Sequence, residues 1–221
     1  MAVHTVYGMT QSGKSYFVKK QMMPNQERTI VYDVARCFDG GDYITLKNQN
    51  DVLKVFRKYS KKKRYKIILR PDRNDDYVFT CDLLISLACA LGRACSPEYN
   101  ADKRVWLVID EADQVCSSHY QSKQLKHLVN KGRHDNVDSI FIARIPQRLH
   151  TDIRANTSRI VSFKISNSTI KDFVDNFGRD YAKSIQELGK YERLEWDDTG
   201  TITVYSSDNR ILKTGSKRDK N

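Results

Sequence analysis

Three features of the chain predict an α/β fold: a mostly parallel central sheet lying between helices, with a helix and a β-hairpin added at the C-terminal end. Short apolar runs alternate with segments of helical periodicity along most of the 221 residues, the arrangement expected of strands joined by crossover helices. A glycine-bracketed loop, Gly8-Met9-Thr10-Gln11-Ser12-Gly13-Lys14-Ser15, connects the first apolar run to the first helical segment. A continuous apolar run from Arg104 to Ile109 then ends in Asp110 and Glu111, as a central strand buried on both faces would.

Taken in order, Val3 to Tyr7 reads as a strand, Tyr16 to Met22 as a helix and Thr29 to Val34 as a second strand, with Gly40-Gly41-Asp42 as a loop. Residues 49–59 place Val52, Val55, Phe56 and Tyr59 at helical spacing, and Lys66 to Leu69 is a strand closed by Pro71. Tyr77 to Ala94 is an apolar helix with Leu83, Leu84, Leu87 and Leu91 on adjoining faces, which suits a core helix. Beyond the acidic pair, Gln121 to Lys131 reads as a helix, Ser139 to Ala143 as a buried strand, Thr151 to Ala155 as a short helix and Ser158 to Ile165 as a strand. One longer helix is expected from Ser168 to near Gly189. Tyr191 to Trp196 and Thr201 to Tyr205 alternate around Asp197-Asp198-Thr199-Gly200 as a β-hairpin. These elements make one domain over residues 1–206, its core about 3–165, and residues 207–221 a flexible basic tail.

Composition narrows the function classes. A net charge of +11 points to a polyanionic partner such as nucleic acid. Cys37, Cys81, Cys89, Cys95 and Cys116 are odd in number and none has C-x-x-C or zinc-ligand spacing, which favours reduced structural thiols in a cytosolic setting. The longest apolar run, Leu83 to Leu91, is far short of the roughly 20 residues that span a bilayer. A soluble protein without direct membrane insertion is therefore expected.

The loop from Gly8 to Ser15 fits G-x-x-x-x-G-K-[ST] at every fixed position. Gly8 and Gly13 let the backbone curl so that successive N–H groups face one anion, and the helix that follows adds its positive end. Lys14 would neutralise the β- and γ-phosphates of a nucleotide and the Ser15 hydroxyl would be a ligand of Mg²⁺. An acid at the end of the apolar strand, Asp110, would hold the same ion, and the adjacent Glu111 would polarise an attacking water. That pair favours ATP hydrolysis over transfer to an acceptor hydroxyl, although the same Asp-Glu-Ala-Asp would also suit a simple helix start. Arg144 ends the strand Ser139 to Ala143, at the edge where ligands bind in open α/β sheets, and Arg133 follows a helix end; each is a candidate to sense or stabilise the γ-phosphate or an ordinary surface charge.

These motifs, with Ile142-Ala143-Arg144-Ile145-Pro146 and Asp152-Ile153-Arg154-Ala155-Asn156 before Arg159-Ile160, resemble in order those of the FtsK-HerA superfamily of DNA-pumping ATPases. The short form looks most like the genome-packaging ATPases of tailless icosahedral double-stranded DNA viruses, many of which contain a membrane. The resemblance implies a RecA-like (ASCE) P-loop NTPase and a hexameric ring that packages duplex DNA. It makes Gly8, Met9, Thr10, Gln11, Ser12, Gly13, Lys14, Ser15 and Tyr16 the nucleotide-binding residues, Ser15 and Asp110 the Mg²⁺ residues, Glu111 the catalytic base, and Arg133 and Arg144 further catalytic candidates. Arg133 falls near the position of the trans-acting arginine in that superfamily. Gln11 stands where a glycine is common and Arg144 where many relatives have a glutamine, with Gln147 close by. ATP and Mg²⁺, viral vertex or portal proteins, and a location in the host cytoplasm and at the packaging vertex of the virion follow from the same likeness. The basic segment Lys58 to Lys66, with Tyr59 and Tyr65 interleaved, and the basic tail are the candidates for sequence-independent DNA contacts. The alternatives are an assembly or secretion ATPase of the filamentous-phage type, or a phosphate-loop switch or kinase that does not act on DNA.

Overall fold

The computed structural model describes residues 2–96, 100–119 and 122–216. Among these, the strands are β1 (Val3–Tyr7), β2 (Arg28–Tyr32), β3 (Asp42–Ile44), β4 (Tyr65–Leu69), β5 (Val105–Ile109), β6 (Val137–Ala143), β7 (Arg159–Phe163), β8 (Arg193–Asp197), β9 (Thr201–Tyr205) and β10 (Ile211–Ser216). They form one ten-stranded sheet in the order β10-β9-β8-β7-β1-β6-β5-β2-β4-β3. The strands from β7 to β3 are parallel. β8, β9 and β10 extend the sheet antiparallel beyond β7.

The central strands β1, β2 and β4 to β7 are buried on both faces, and their side chains divide by alternation. Tyr7, Ile30, Tyr32, Ile67, Leu69, Leu107, Ile109 and Phe141 join one core, whereas Val6, Val31, Ile68, Trp106, Val108, Ile140 and Ile142 join another on the opposite face. The first core is covered by a thick layer: α2 (Gln49–Tyr59), α3 (Tyr77–Cys95), α5 (Lys123–Lys131), α6 (Thr151–Asn156), α7 (Ile170–Phe177) and α8 (Arg179–Gln186), with α4 (Ala112–Val115) beside them. The second is covered by α1 (Lys14–Phe17), which runs on as a π-helical turn over Val18–Met22 and contributes Phe17, Val18 and Met22. The two faces are thus sheathed very unequally.

α3 is the keel of the thick layer. Asp76 caps it by accepting from the Val78 and Phe79 N–H groups at 3.0 and 3.1 Å. Leu84, Leu87 and Leu91 are fully buried, each contributing about 1.5–3 kcal/mol relative to exposure. By length and composition its 19 residues are apolar enough to cross a membrane, but these side chains are packed into the core of the domain.

Most predicted elements are present, with three differences. β3 occupies part of the expected loop at 40–42: it is a short, exposed edge strand that pairs only with β4 among the described residues, and so carries little apolar signal. The expected single helix over 168–189 is a 3₁₀ turn (Asn167–Thr169) followed by α7 and α8, broken at Gly178, whose φ of 92° is open chiefly to glycine. Part of the expected flexible tail is ordered as β10. A turn closed by Ser206 N–H to the Arg210 carbonyl and Asn209 N–H to the Ser206 carbonyl folds the chain back so that Ile211 pairs with Tyr205. An exposed edge strand buries too little to show in hydropathy; residues 217–221, like Gln121 of the expected helix, lie outside the described residues.

The C-terminal elements share the core rather than standing apart from it. Phe173 meets Tyr7 edge-on at 5.8 Å, and Phe177, Tyr181 and Trp196 continue the aromatic cluster across α7, α8 and β8.

α3 also presses on the turn before β6. A Cβ built on Gly92 would lie 2.0 Å from the Asp135 carbonyl oxygen and 2.9 Å from Val137 Cγ2. Although alanine is the better helix former, Gly92→Ala is expected to lower unfolding free energy by about 1–3 kcal/mol. Gly215→Ala, with nothing within 4 Å of the new carbon, should leave the urea midpoint near that of the wild type.

Candidate functional site

Parallel strands deliver their carboxyl ends to one edge of the sheet, and the candidate residues gather there. β1 leads into the glycine-bracketed loop, β5 into Asp110 and Glu111, β6 into Arg144 and β2 into Asp33. β6 lies between β1 and β5, so the loop and the acidic pair are separated by one strand.

The loop needs unusual backbone. Gly8 has φ 149° and Gly13 φ 103°, and Gln11 adopts the left-handed conformation at φ 61°. A Cβ at Gly8 would also lie 2.7 Å from Ser12 Oγ and 2.8 Å from Phe163 Cβ. Glycine at this position is a requirement of both torsion and space. The Met9 N–H donates to the Lys164 carbonyl at 3.1 Å and the Ser12 N–H to the Met9 carbonyl at 3.2 Å. Gly13 precedes α1 with no side-chain cap, which leaves the positive end of the helix facing the loop.

Lys14 is buried, and its Nζ donates to the Gly8 and Met9 carbonyls, both at 2.9 Å. Burial holds the ammonium below the ordinary lysine range, while Glu111, Asp110 and Asp113 pull in the opposite direction. Ser15 Oγ donates to Asp110 Oδ1 at 3.3 Å, joining the loop to the end of β5. The other oxygen of Asp110, Oδ2, is buried without a hydrogen-bond partner, and so is Ser12 Oγ. A hydroxyl beside a carboxylate with an unsatisfied oxygen is an all-oxygen donor pair suited to a hard divalent cation, so these residues fit Mg²⁺.

Glu111 has φ 49° and ψ 43°, a left-handed conformation that costs energy in a residue with a side chain. Its N–H donates to Asp110 Oδ1 at 3.1 Å. Arg144 Nε lies 3.2 Å from Asp113 Oδ2 and 3.6 Å from Glu111 Oε2. Arg144 therefore sits between two carboxylates and partly offsets their charge.

The site opens into a cavity of about 680 Å³ bounded by the loop, the acidic pair, Phe163, Tyr191, Arg193 and the 206–210 turn. Its far wall follows from strand register. Phe163 pairs with Arg193 and Arg193 with Tyr205, so the start of β8 and the end of β9 reach the same edge as the loop. On the other side, the 33–38 segment is held by Asp33, which accepts from Cys37 N–H, Phe38 N–H and Arg70 Nε at 2.8, 3.2 and 2.8 Å.

Comparison with known proteins agrees with this fold. The sequence pattern of the family described as Poxvirus A32 protein matches residues 87–186. No curated protein sequence matches the chain. Among solved structures, the genome packaging NTPase B204 from Sulfolobus turreted icosahedral virus 2, in complex with AMPPCP, superposes with a TM-score of 0.73 at 16% identity, over 93% of this chain and 97% of that one. The same NTPase in complex with ATP-gammaS gives 0.71 at 17% identity, again over 93% and 97%. VirB4 of Thermoanaerobacter pseudethanolicus gives 0.64 at 11% identity, over 89% and 86%. The chain has the fold of the P-loop NTPases and resembles the genome packaging NTPase B204 in architecture.

In this P-loop fold, Gly8 to Tyr16, Asp110, Glu111 and Arg144 are assembled around one cavity edge. Arg133 is not brought to it. It lies on an exposed turn just before β6, at the amino edge of the sheet, opposite the loop of its own chain. Gln147 donates to Asp175 Oδ2 at 3.3 Å and is engaged with α7, so Arg144 is the strand-end polar group that meets the acids. Tyr59 and Tyr65 are buried and cannot stack on bases; Lys61, Lys62, Lys63 and Arg64 are exposed. All five cysteines are free thiols.

Sequence reasoning missed Asp113, Tyr191, Arg193 and Asn209. The spacing of Asp113, three residues after Asp110 and on the first turn of α4, is a usable signal. The hairpin residues carry none, because only the pairing of β8 to β7 brings them near the loop.

Burial, and next the neighbouring Glu111, push the Asp110 carboxyl up to about 6. The folded metal-free protein thus binds more protons than the unfolded chain between pH about 4 and about 6, and loses stability as the pH rises through that window. Asp110→Asn is expected to raise the Tm of the metal-free protein at pH 7.5, with the gain disappearing near pH 4. A lower Tm for the variant at pH 7.5 would contradict a desolvated, repelled carboxylate at this position.

Proposed function

We propose that this chain is an ATP-hydrolysing motor that translocates viral double-stranded DNA into a preformed capsid, working as a ring, a hexamer of identical subunits. The observation that carries the reading is the meeting of Ser15 and Asp110 at 3.3 Å, with Glu111 next to them and Lys14 in the loop. The likeness in fold to a genome packaging NTPase supports the same reading.

Lys14 and the N–H groups of Gly13 to Tyr16 bind the nucleotide phosphates. Mg²⁺, held through Ser15 and Asp110, supplies charge neutralisation on the phosphate oxygens when bound. Glu111 orients the attacking water toward the γ-phosphate and takes up its proton. Arg144 holds Glu111 and Asp113 in place and is near enough to respond when charge in the site changes. Arg133, exposed on a turn, serves a neighbouring subunit's site rather than its own. The exposed Lys61 to Arg64 cluster meets the DNA backbone through charge, which makes binding indifferent to sequence and steeply weaker with salt. Viral vertex or portal proteins anchor the ring at the packaging vertex, and the protein works from the host cytoplasm.

Turnover of ATP by the purified protein, with and without duplex DNA, tests the proposal. Wild type should be stimulated by DNA, and Glu111→Gln should cut turnover by about 100-fold or more while still binding nucleotide. Arg133→Ala should be nearly inactive alone and regain turnover when mixed with Glu111→Gln subunits, since each would supply what the other lacks. Phosphate transfer to a small acceptor, or turnover untouched by DNA and by Glu111→Gln, would rule the motor out.

A further inference from the structure

At the amino edge of the sheet, away from the loop, three segments bring a thiol, an imidazole and a carboxylate together. α3 contributes Cys89, α5 contributes His127, and the turn between α5 and β6 contributes Asp135. A ligand atom from each, Cys89 Sγ, a His127 ring nitrogen and an Asp135 oxygen, lies within 4.8 Å of the other two. Packing explains the meeting. Cys89, Gly92 and Arg93 share one face of α3 by helical spacing, and the bare Gly92 lets that face press on the Asp135 carbonyl. The turn itself is fixed by Asp135 N–H to the Gly132 carbonyl at 3.0 Å and Asn136 N–H to the Arg133 carbonyl at 3.1 Å.

Asp135 is the hub of the group. Its Oδ2 lies 2.6 Å from His127 Nε2, its Oδ1 accepts from Arg93 Nη1 at 2.6 Å, and the Cys89 thiol donates to the same carboxylate. Cys89 and Asp135 are each only 4% exposed, whereas the His127 side chain is 45% exposed. The group is therefore closed toward the protein and open to solvent on the histidine side. An ion pair needs only Arg93, Asp135 and His127; the thiol adds a soft donor that strengthens such a pair little. Thiolate, imidazole and carboxylate together are a donor set suited to zinc. Arg93, holding the remaining carboxylate oxygen, stands where an outer partner orients a ligating carboxylate.

We propose that Cys89, His127 and Asp135 form a zinc site, with Cys89 Sγ, His127 Nε2 and Asp135 Oδ2 as three ligands of a tetrahedral ion and a water as the fourth, on the exposed side of His127. Zinc bonds of about 2.0–2.3 Å set tetrahedral ligand atoms roughly 3.3–3.7 Å apart, so the His127 ring and the carboxylate separate by about 1 Å to admit the ion. The thiol proton leaves to solvent, and the ring proton moves to Nδ1. The ion ties α3 and α5 to the turn that leads into β6, the turn on which Arg133 stands. No residue of the phosphate loop takes part, so the site stands apart from the nucleotide reading. Its ligands come from three separate segments, which is why the sequence shows no zinc-ligand spacing.

Metal titration of the reduced full chain tests this, with Co²⁺ and Zn²⁺ as probes. Co²⁺ should give the intense visible bands of a tetrahedral site and a thiolate-to-cobalt charge-transfer band that saturates with a Kd below about 10 µM, and Zn²⁺ should bleach both. Cys89→Ser should abolish the charge-transfer band. His127→Ala, which removes a half-exposed side chain and so spares the core, should weaken Zn²⁺ by at least about tenfold in competition with a chromogenic chelator. Cys37→Ser, which removes an exposed thiol beside the nucleotide cavity, should change neither. Binding weaker than about 10 µM, a Co²⁺ spectrum without the thiolate band, or Zn²⁺ affinity untouched by His127→Ala would overturn the site and leave a hydrogen-bonded ion pair around Asp135. A thiolate band lost in Cys37→Ser but kept in Cys89→Ser would overturn it equally, by putting the metal at the nucleotide cavity.

Discussion

Ser15 and Asp110 are separated by 95 positions in the chain and by 3.3 Å in space. The rest of the molecule can be read as the means of closing that gap. A hydroxyl at the start of α1 and a carboxylate just after β5 meet because β1, β6 and β5 run parallel in that order and deliver their carboxyl ends to one edge of the sheet. Parallel pairing requires crossovers, and the crossovers are what the helices of the thick layer provide. The buried keel helix α3 thus contributes to the site without touching it, by fixing the strands against which the acids are placed.

The same edge concentrates charge that burial makes costly. Lys14, Asp110 and Asp113 are all largely withdrawn from solvent, and Glu111 and Arg144 are partly so. Each is stabilised by a particular neighbour: carbonyls for Lys14, the Ser15 hydroxyl and Glu111 N–H for Asp110, Arg144 for Asp113. Asp110 and Asp113 each retain a buried oxygen without a hydrogen-bond partner, and the Asp110 carboxyl also has a raised pKa. Strain is stored in the same place, since Gln11, Glu111 and Tyr191 all have positive φ and all border the cavity. Backbone strain and unpaired polar atoms persist where a surrounding structure over-determines them, and they are characteristic of binding sites.

The unequal sheathing of the sheet bears on mechanics. One face carries a deep helical layer, while the other depends on α1 and the π-helical turn after it, which begin at the phosphate loop itself. Whatever the loop binds is therefore attached directly to the main cover of that face. π-helical turns are unusual and recur at functional sites. On the far side, the antiparallel strands β8 to β10 bring Arg193, Tyr205 and the 206–210 turn to the loop. The site is closed between the first helix of the chain and its last strands.

By itself the sequence determined the parts whose signal is local. The alternation of strands and helices, the glycine-bracketed loop with Lys14 and Ser15, and the acidic pair after β5 are written in spacing and polarity, and backbone geometry enforces them wherever they occur. Tertiary structure alone decided what depends on pairing between distant segments. It turned Arg144 rather than Gln147 toward the acids, kept Arg133 at the opposite edge, buried Tyr59 and Tyr65, and folded part of an expected tail into β10 as a wall of the cavity. Strand order and edge strands leave little trace in hydropathy, because the pairing of one exposed strand with another changes which residues are neighbours without changing which are apolar.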